Sequence, residues 1–471
     1  MHDGDAIRDE ARTVVPPAAP AAADGVANRL VPLLTKIMLG EERETADELP
    51  IQVRAWDGSV IGPPGAPAYV IRHRRALRRL LWKPGELGFA RAYVSGELDI
   101  EGDVFAALDA VQRVMSSGDG PIRLSSEDKR DIVRTAVTLG AVGPEPKAPP
   151  EERGDAQTDP MDEPTPFFRK IFGEGLAHGT GLWDRPAAAP GLETASPDAT
   201  GGTADLETTG LETTGLATAG LETMDLEAAQ AAAHEALAER LGLFPGARVL
   251  DLNCGWGAFA LHAAVRHGAR VVALARTAAQ AAYVRDQAAD AGARVDVRGP
   301  RLPDPADGPY DAIVGVADVA AVDRPARALY DLLAPGGRLV LQQPVSRPGH
   351  SRHRRTLTSG YLHAHDGEPP RLGALVDELD DAGLEVSAVT TLRDDHARTL
   401  RVWAQRLQRY WDECTELAGP GRTRVWLLYL ATSALACENG RIGRYEIRAK
   451  RRDSGVASGR SARAGNGGFR S

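Results

Sequence analysis

The fold turns on the stretch VLDLNCGWGAFALHA, from Val249 to Ala263. An apolar run, VLDL, enters a glycine-containing turn, and a helix of small and apolar residues leaves it. This strand–turn–helix order is how α/β proteins hold a nucleotide-type cofactor. A full turn of that kind reads Asp-x-Gly-x-Gly-x-Gly. Here Asp251 is present, Asn253 stands at the first glycine, and Gly255 and Gly257 fill the other two. After glycine, asparagine best tolerates a left-handed backbone, so position 253 is expected to survive the exchange in that conformation. Taken alone, the glycine pair fits a cofactor cradle and a plain tight turn equally well.

Outward from the turn, strands and helices alternate. The helix LEAAQAAAHEALAERLG precedes it. After it come RVVALA (270–275), a helix over 278–291, a short strand near Val295 and YDAIVGV (310–316). A helix over 325–334 and a PGG turn then lead to RLVLQQ (338–343). Such βαβ units predict an α/β fold: a Rossmann-like parallel sheet with helices on both faces. Helices near 371–382, 394–418 and 422–438, with late strands near Val386 and Tyr445, complete a domain over 226–450. Upstream, IQVRAW and AYVIRH read as strands around a DGS turn, followed by helical stretches. They predict a small α+β domain over 51–139. Residues 1–50 read as a flexible arm with one helix at Val26–Leu39, and 451–471 as a disordered basic tail. Residues 140–225 read as a low-complexity linker. Its tandem units LETTG (206 and 211), LATAG (216) and LETMD (221) carry too little apolar content to pack.

The chain has 471 residues, enough for two or three domains, and a formal net charge of −9, which argues against general nucleic-acid binding. Cys254, Cys414 and Cys437 lack the paired spacing of a zinc site or a disulfide framework. The charged start MHDGDAIRDEAR has no apolar signal-peptide core, and no apolar stretch is long enough to span a bilayer. A cytoplasmic protein, at most peripheral to the inner face of a membrane, is expected.

The order and spacing of VLDLNCGWG, YDAIV and LLAPGGRLVL resemble the S-adenosylmethionine-dependent methyltransferases. Nearly the whole chain resembles one branch of them, the cyclopropane-fatty-acyl-phospholipid synthase family, which includes the mycolic acid cyclopropane synthases. The likeness runs through IQVRAWDGS, RRALRRLLWKPGELGFARAYVSGELDIEGD, LEAAQAA, RTLRVWAQRLQRYWDE, RVWLLYLATSAL and GRIGRYEI. It implies S-adenosylmethionine as cofactor, held by Asp251, Asn253, Gly255, Gly257, Thr277 and Gln280. It also implies methyl transfer to unsaturated acyl chains of phospholipids or other acyl lipids.

The chain departs from that family where the chemistry is done. Family members hold a bicarbonate base with a Cys in Tyr-Ser-Cys-x-Tyr, a Glu in Phe-Glu-His-Val-Gly, a His after the PGGRLLL strand and a Tyr in His-Tyr-Ala-Arg-Thr-Leu. No Tyr-Ser-Cys occurs here, and the threonine-rich repeat is expected to take its place. Ala320 and Ala321 align with the Glu and His, Gln342 with the strand His, and His396 with the Tyr. In the cofactor region the family's Thr-Leu-Ser reads Ala275, Arg276, Thr277, and VRGPRLP lacks the expected acid.

His396 is therefore the one candidate catalytic residue, as a general base working near neutral pH, against the alternative of a helix-start residue without chemistry. His350, His353, His363 and His365 have no regular ligand spacing, and no metal is expected. The basic amphipathic segment RHRRALRRLLWK (72–83) fits an anionic lipid surface and a solvated helix equally. Three functions remain: an acyl-lipid methyltransferase of cyclopropane synthase type, a methyltransferase with another acceptor, and a degenerate member serving as a non-enzymatic partner or regulator.

Overall fold

In the computed structural model the described residues are 25–39, 49–116, 126–152, 161–183, 225–316, 326–347, 361–362 and 369–452. They form two units. One comprises residues 1–171, 346–369 and 400–443, the other 172–345, 370–399 and 444–471.

The first unit is built on a four-stranded sheet of β1 (Gln52–Ala55), β2 (Val60–Ile61), β3 (Ala68–Ile71) and β4 (Leu98–Glu101), in the order β2-β1-β3-β4. The DGS turn folds β1 back onto β2, a two-residue strand too short to show periodicity. AYVI then becomes β3, parallel to β1. Ile51, Val53, Ile61, Tyr69 and Ile71 form a core with Ala76, Ala92 and Leu98. The helix Val26–Leu39 joins it through Ala27 and Leu30, so part of the presumed arm is folded. Its first turn is held from β1's turn: Val26 N–H donates to Asp57 at 2.7 Å and Ala27 N–H to Ser59 Oγ at 2.8 Å.

Four cations of the basic segment 72–83 are paired within this unit. Arg79 is buried and reaches Glu97 at 2.8 Å, and Arg75 reaches the same carboxylate at 3.0 Å. Arg72 pairs with Asp99 at 3.0 Å and Lys83 with Glu145 at 4.0 Å. Arg72, Arg74, Arg75 and Lys83 remain exposed along the same segment. A buried pair is costly to break because the surviving charge stays desolvated. Glu97→Gln is expected to lower unfolding stability by about 3 kcal/mol. Glu101→Gln, which breaks the exposed pair with Arg54, should cost less than about 1 kcal/mol in the same urea titration.

The second unit carries β5 (Arg248–Asp251), β6 (Arg270–Leu274), β7 (Val295–Arg298), β8 (Tyr310–Val316), β9 (Leu333–Ser346), β10 (Leu384–Thr391) and β11 (Ile442–Arg451). Their order is β10-β11-β9-β8-β5-β6-β7. Strands β5 to β9 pair in parallel, and β10 is antiparallel to β11. Successive side chains of a strand face opposite ways, and both faces here are apolar. Val249, Val271, Ala312, Val314 and Val340 pack with the helices Leu226–Leu241, Ala258–Arg266 and Ala278–Asp290. Leu250, Leu274, Ile313, Leu339 and Leu341 pack with Ala326–Leu332 and Leu372–Asp381. The chain runs from β5 out to β6 and β7 on one side and returns to β8 and β9 on the other. The carboxyl end of β5 is thus the topological switch point, where open α/β sheets hold ligands.

Two further departures concern helices. The stretch 394–418 is two helices, Arg393–Arg409 and Trp411–Ala418, separated at Tyr410. Residues 161–183, assigned to the linker by composition, contain the helix Thr165–Phe172, in which Phe167, Phe168, Ile171 and Phe172 are buried. Four large apolar side chains in eight residues suffice for packing, a local signal that averaging over the whole low-complexity stretch conceals.

Candidate active site

Strand β5 ends in the turn that opened the sequence. Asp251 is buried there and accepts the backbone N–H of Asn253 at 3.2 Å. Burial pushes its carboxyl up to about 7, with the Asn253 N–H opposing. The turn is fastened on both sides: Leu252 N–H donates to Val314 O at 2.9 Å and Cys254 N–H to Leu274 O at 3.1 Å. Gly255 and Gly257 both take positive φ, +54° and +80°. Around Gly255 a β-carbon would meet no atom within 4 Å, whereas on Gly257 it would strike Val284 Cγ1 and Cγ2 at 2.8 and 2.9 Å. The first glycine leaves room for a ligand and the second lets the helix Ala258–Arg266 approach its neighbour.

An open cleft lies against this turn, with about 510 Å³ of atom-free space, solvent at its mouth included. Asp251, Asn253 and Cys254 line it from β5, Val316 from the end of β8 and Gln342 from β9. Gln230, Ala233, His234 and Leu237 line it from the helix Leu226–Leu241, one face at i, i+3, i+4 and i+7. The last wall is Ala177 to Thr180. Gln230 ties that wall in place, its Nε2 donating to the carbonyls of Phe172 and Ala177, both at 2.9 Å. Trp183 anchors its far end, donating from Nε1 to Asp395 O at 3.1 Å and Thr399 Oγ1 at 3.0 Å.

The polar groups at this cleft suit proton handling. Thr180 Oγ1 and His396 Nδ1 are 3.1 Å apart and both residues are buried. Gln342 donates from Nε2 to Glu446 at 3.0 Å, and Arg240 pairs with the same carboxylate at 2.5 Å. Burial lowers His234 to about 4, with His262 adding to the effect, so its ring is neutral at pH 7. Burial pushes the Cys254 thiol up, which removes it as a thiolate nucleophile.

Of the residues assigned from the sequence, Asp251, Asn253 and Gln342 stand on the cleft wall, with Gly255 and Gly257 in the adjoining turn. Asn253 is not left-handed: among described residues only Leu176 is a non-glycine with positive φ. Asparagine is accommodated instead because its Nδ2 donates to Val316 O at 3.0 Å, joining β5's turn to the end of β8. Thr277 and Gln280 do not line the cleft. They form a capping box at the start of Ala278–Asp290, Thr277 Oγ1 accepting from Gln280 N–H at 3.1 Å and Gln280 Oε1 accepting from Thr277 N–H at 3.4 Å.

His396 stands behind Thr180 rather than on the wall itself. Ahead of LEAAQ, the described residues that line the cleft are Ala177 to Thr180. Ala320 and Ala321, the histidines at 350, 353, 363 and 365, and the repeat units lie outside the described residues. Gln230 and His234 escaped the sequence reading, although their helical spacing with Ala233 and Leu237 marks one face.

Residues 217–447 match the family model described as mycolic acid cyclopropane synthetase. The chain is 28% identical over 431 residues to a protein described as a probable fatty acid methyltransferase of Mycobacterium tuberculosis, covering 86% of this chain and 92% of that one. It is 27% identical over 457 residues to the tuberculostearic acid methyltransferase UfaA1 of the same organism, covering 90% and 91%. Cyclopropane mycolic acid synthase 2 of Mycobacterium bovis is 26% identical over 219 residues, 41% of this chain and 72% of that one. The likeness to the mycolic acid cyclopropane synthetase family is thus carried by residues 217–447.

Proposed function

We propose that this chain transfers a methyl group from S-adenosylmethionine to an unsaturated acyl chain of a lipid, giving a methyl-branched alkene rather than a cyclopropane. The observation that carries the reading is one of extent. The relatives matched over 86% and 90% of the chain are named as fatty acid methyltransferases, whereas the cyclopropane synthase matches 41%. The cleft fits the cofactor: the turn is open at Gly255, and the Asp251 carboxyl stands beside it where a cationic group would offset its burial. Asp251, Asn253, Gly255 and Gly257 would hold the cofactor, with Thr277 and Gln280 fixing the adjacent helix end. S-adenosylmethionine supplies an electrophilic methyl group.

The acyl double bond supplies the electron pair for the new carbon–carbon bond, and one proton must leave the resulting cation. The hydroxyl of Thr180, on the cleft wall, passes that proton to His396 behind it. Ring closure needs a base held against the carbon that closes the ring. Family members cradle a bicarbonate there, and with glutamine at 342 and histidine at 396 the described residues offer a relay instead of that cradle.

The test is expression in a host lacking its own cyclopropane synthase, with mass spectrometry of total fatty acids. Methylated alkenes without cyclopropane chains are expected, and abundant cyclopropane chains would sink the proposal. Calorimetry on the purified chain addresses the cofactor separately. Gly255→Val should weaken S-adenosylmethionine binding at least about tenfold, because the side chain fills the space the ligand needs. Both substitutions carry left-handed strain, and Gly257→Val adds a collision with Val284, so it should destabilise the fold by about 3 kcal/mol, more than Gly255→Val does. Undiminished binding in the Gly255 variant would show that the turn is not the site, and an unmodified chain that binds no cofactor would be a non-enzymatic family member.

A further inference from the structure

On the side of the helix Leu226–Leu241 next to the cleft-lining His234, three side chains from two helices converge. Glu235 belongs to that helix, His262 lies on Ala258–Arg266, and His267 ends the latter helix as its C-cap. One carboxylate oxygen, Glu235 Oε2, is 3.1 Å from His262 Nε2 and 3.4 Å from His267 Nε2. All three ligand atoms lie within 4.8 Å of one another. The two imidazole rings are 5.4 Å apart. The His267 Nε2 atom is shielded from solvent and makes no hydrogen bond of good geometry, although it points at the carboxylate.

Metal–ligand bonds of about 2.0–2.1 Å in a tetrahedron put neighbouring ligand atoms roughly 3.3–3.4 Å apart. The two separations at Glu235 fall close to that edge. We infer that Glu235, His262 and His267 form a site for a zinc-class divalent cation, with a fourth position open to solvent. Two imidazole nitrogens and one carboxylate favour Zn²⁺, Co²⁺, Ni²⁺ or Cu²⁺ over Mg²⁺ and Ca²⁺, which take all-oxygen shells. Arg266, beside His267 in sequence, is a nearby cation that opposes a metal charge at His262. The side chains are partly exposed, at 16% for His262, 21% for His267 and 44% for Glu235, and with His267 Nε2 itself shielded an ion would enter past the half-exposed carboxylate.

The site bears on the cleft. The ring of His262 lies 5.7 Å from that of His234, which lines the cleft wall. A bound ion clamps the helix carrying Gln230 and His234 to the helix that starts at Gly257. No spacing motif announces the set, because Glu235 comes from a separate helix.

The test uses the full chain after chelator treatment and removal of any affinity tag. Zn²⁺ is titrated in by calorimetry, and Co²⁺ serves as an optical probe whose visible bands report tetrahedral geometry. One equivalent is expected to bind at this site. Glu235→Gln, a conservative change at a half-exposed position, should weaken binding at least about tenfold, and His262→Gln with His267→Gln should abolish it. His350→Gln with His353→Gln, elsewhere in the sequence, should leave it unchanged. Circular dichroism of each metal-free variant checks folding. Stoichiometric binding that persists in the Glu235 and double-histidine variants would overturn the inference, as would the absence of zinc binding by the unmodified chain below about 1 mM.

Discussion

Asp251→Asn is expected to stabilise the protein, and by an amount that grows with pH. The carboxyl at the end of β5 is raised from 3.8 to about 7, chiefly by burial. Between those values the unfolded chain gives up its proton while the folded chain keeps it. Folding stability therefore falls as pH rises through that window and levels off above about 7. Each tenfold change in an acid's dissociation constant corresponds to about 1.4 kcal/mol, so ionisation at this position withholds on the order of 4 kcal/mol at pH 8. Asparagine keeps the acceptor for the Asn253 N–H and has no charge to bury. The stability difference between variant and parent should widen by roughly 2–3 kcal/mol from pH 5 to pH 8 in urea unfolding. A constant difference across that range would mean that Asp251 ionises normally. The withheld energy also has a use: a cationic ligand placed beside the carboxylate recovers part of it, so cofactor affinity should rise between pH 6 and 8 in the parent and not in the variant.

His396→Ala should reduce methylated lipid about a hundredfold, the scale of a lost general base. Thr180→Val should do nearly the same, since it removes the hydroxyl that stands between the cleft and the ring. If the two act as one relay, the double variant loses little more than either alone. Thr180→Ser keeps the hydroxyl and should keep most of the activity. Removing His396 also leaves a buried hydroxyl short of a partner, at a cost of about 1–3 kcal/mol, so the variants must be compared below their unfolding transitions. Full activity in both single variants would eliminate the relay.

The sheet was legible because its inner parallel strands are apolar on both faces and bounded by helices, while the edge strand β7, VDVR, alternates. Val249 and Leu250 go to opposite cores, a pattern that an exposed strand would not show. β2 was not legible, since two residues carry no period. At the glycine turn, Asn253 was anticipated as tolerated for its backbone, but it is the side chain's bond to Val316 that the fold uses. Thr277 and Gln280 illustrate an ambiguity of a different sort: a threonine three residues before a glutamine is a helix-start signal in its own right, and the fold realises that meaning. The cleft wall at Ala177 to Thr180 was hidden because its meaning lies in tertiary contacts. Thr180 and His396 are 216 positions apart, and nothing local to either announces the other.

Leu182 N–H donates to Ala229 O at 2.9 Å, so the chain is stitched together immediately before and after the residues that hold the five-residue repeats. Trp183 is fixed by Asp395 and Thr399, and the next helix begins at Leu226, so both flanks are anchored by described residues. Closure entropy grows slowly with loop length, by about 0.6 kcal/mol per doubling. With both ends anchored in the second unit, the stretch between Trp183 and Asp225 is where chain length can be varied as a test: removing or adding one five-residue unit should leave the urea midpoint and cofactor affinity nearly unchanged.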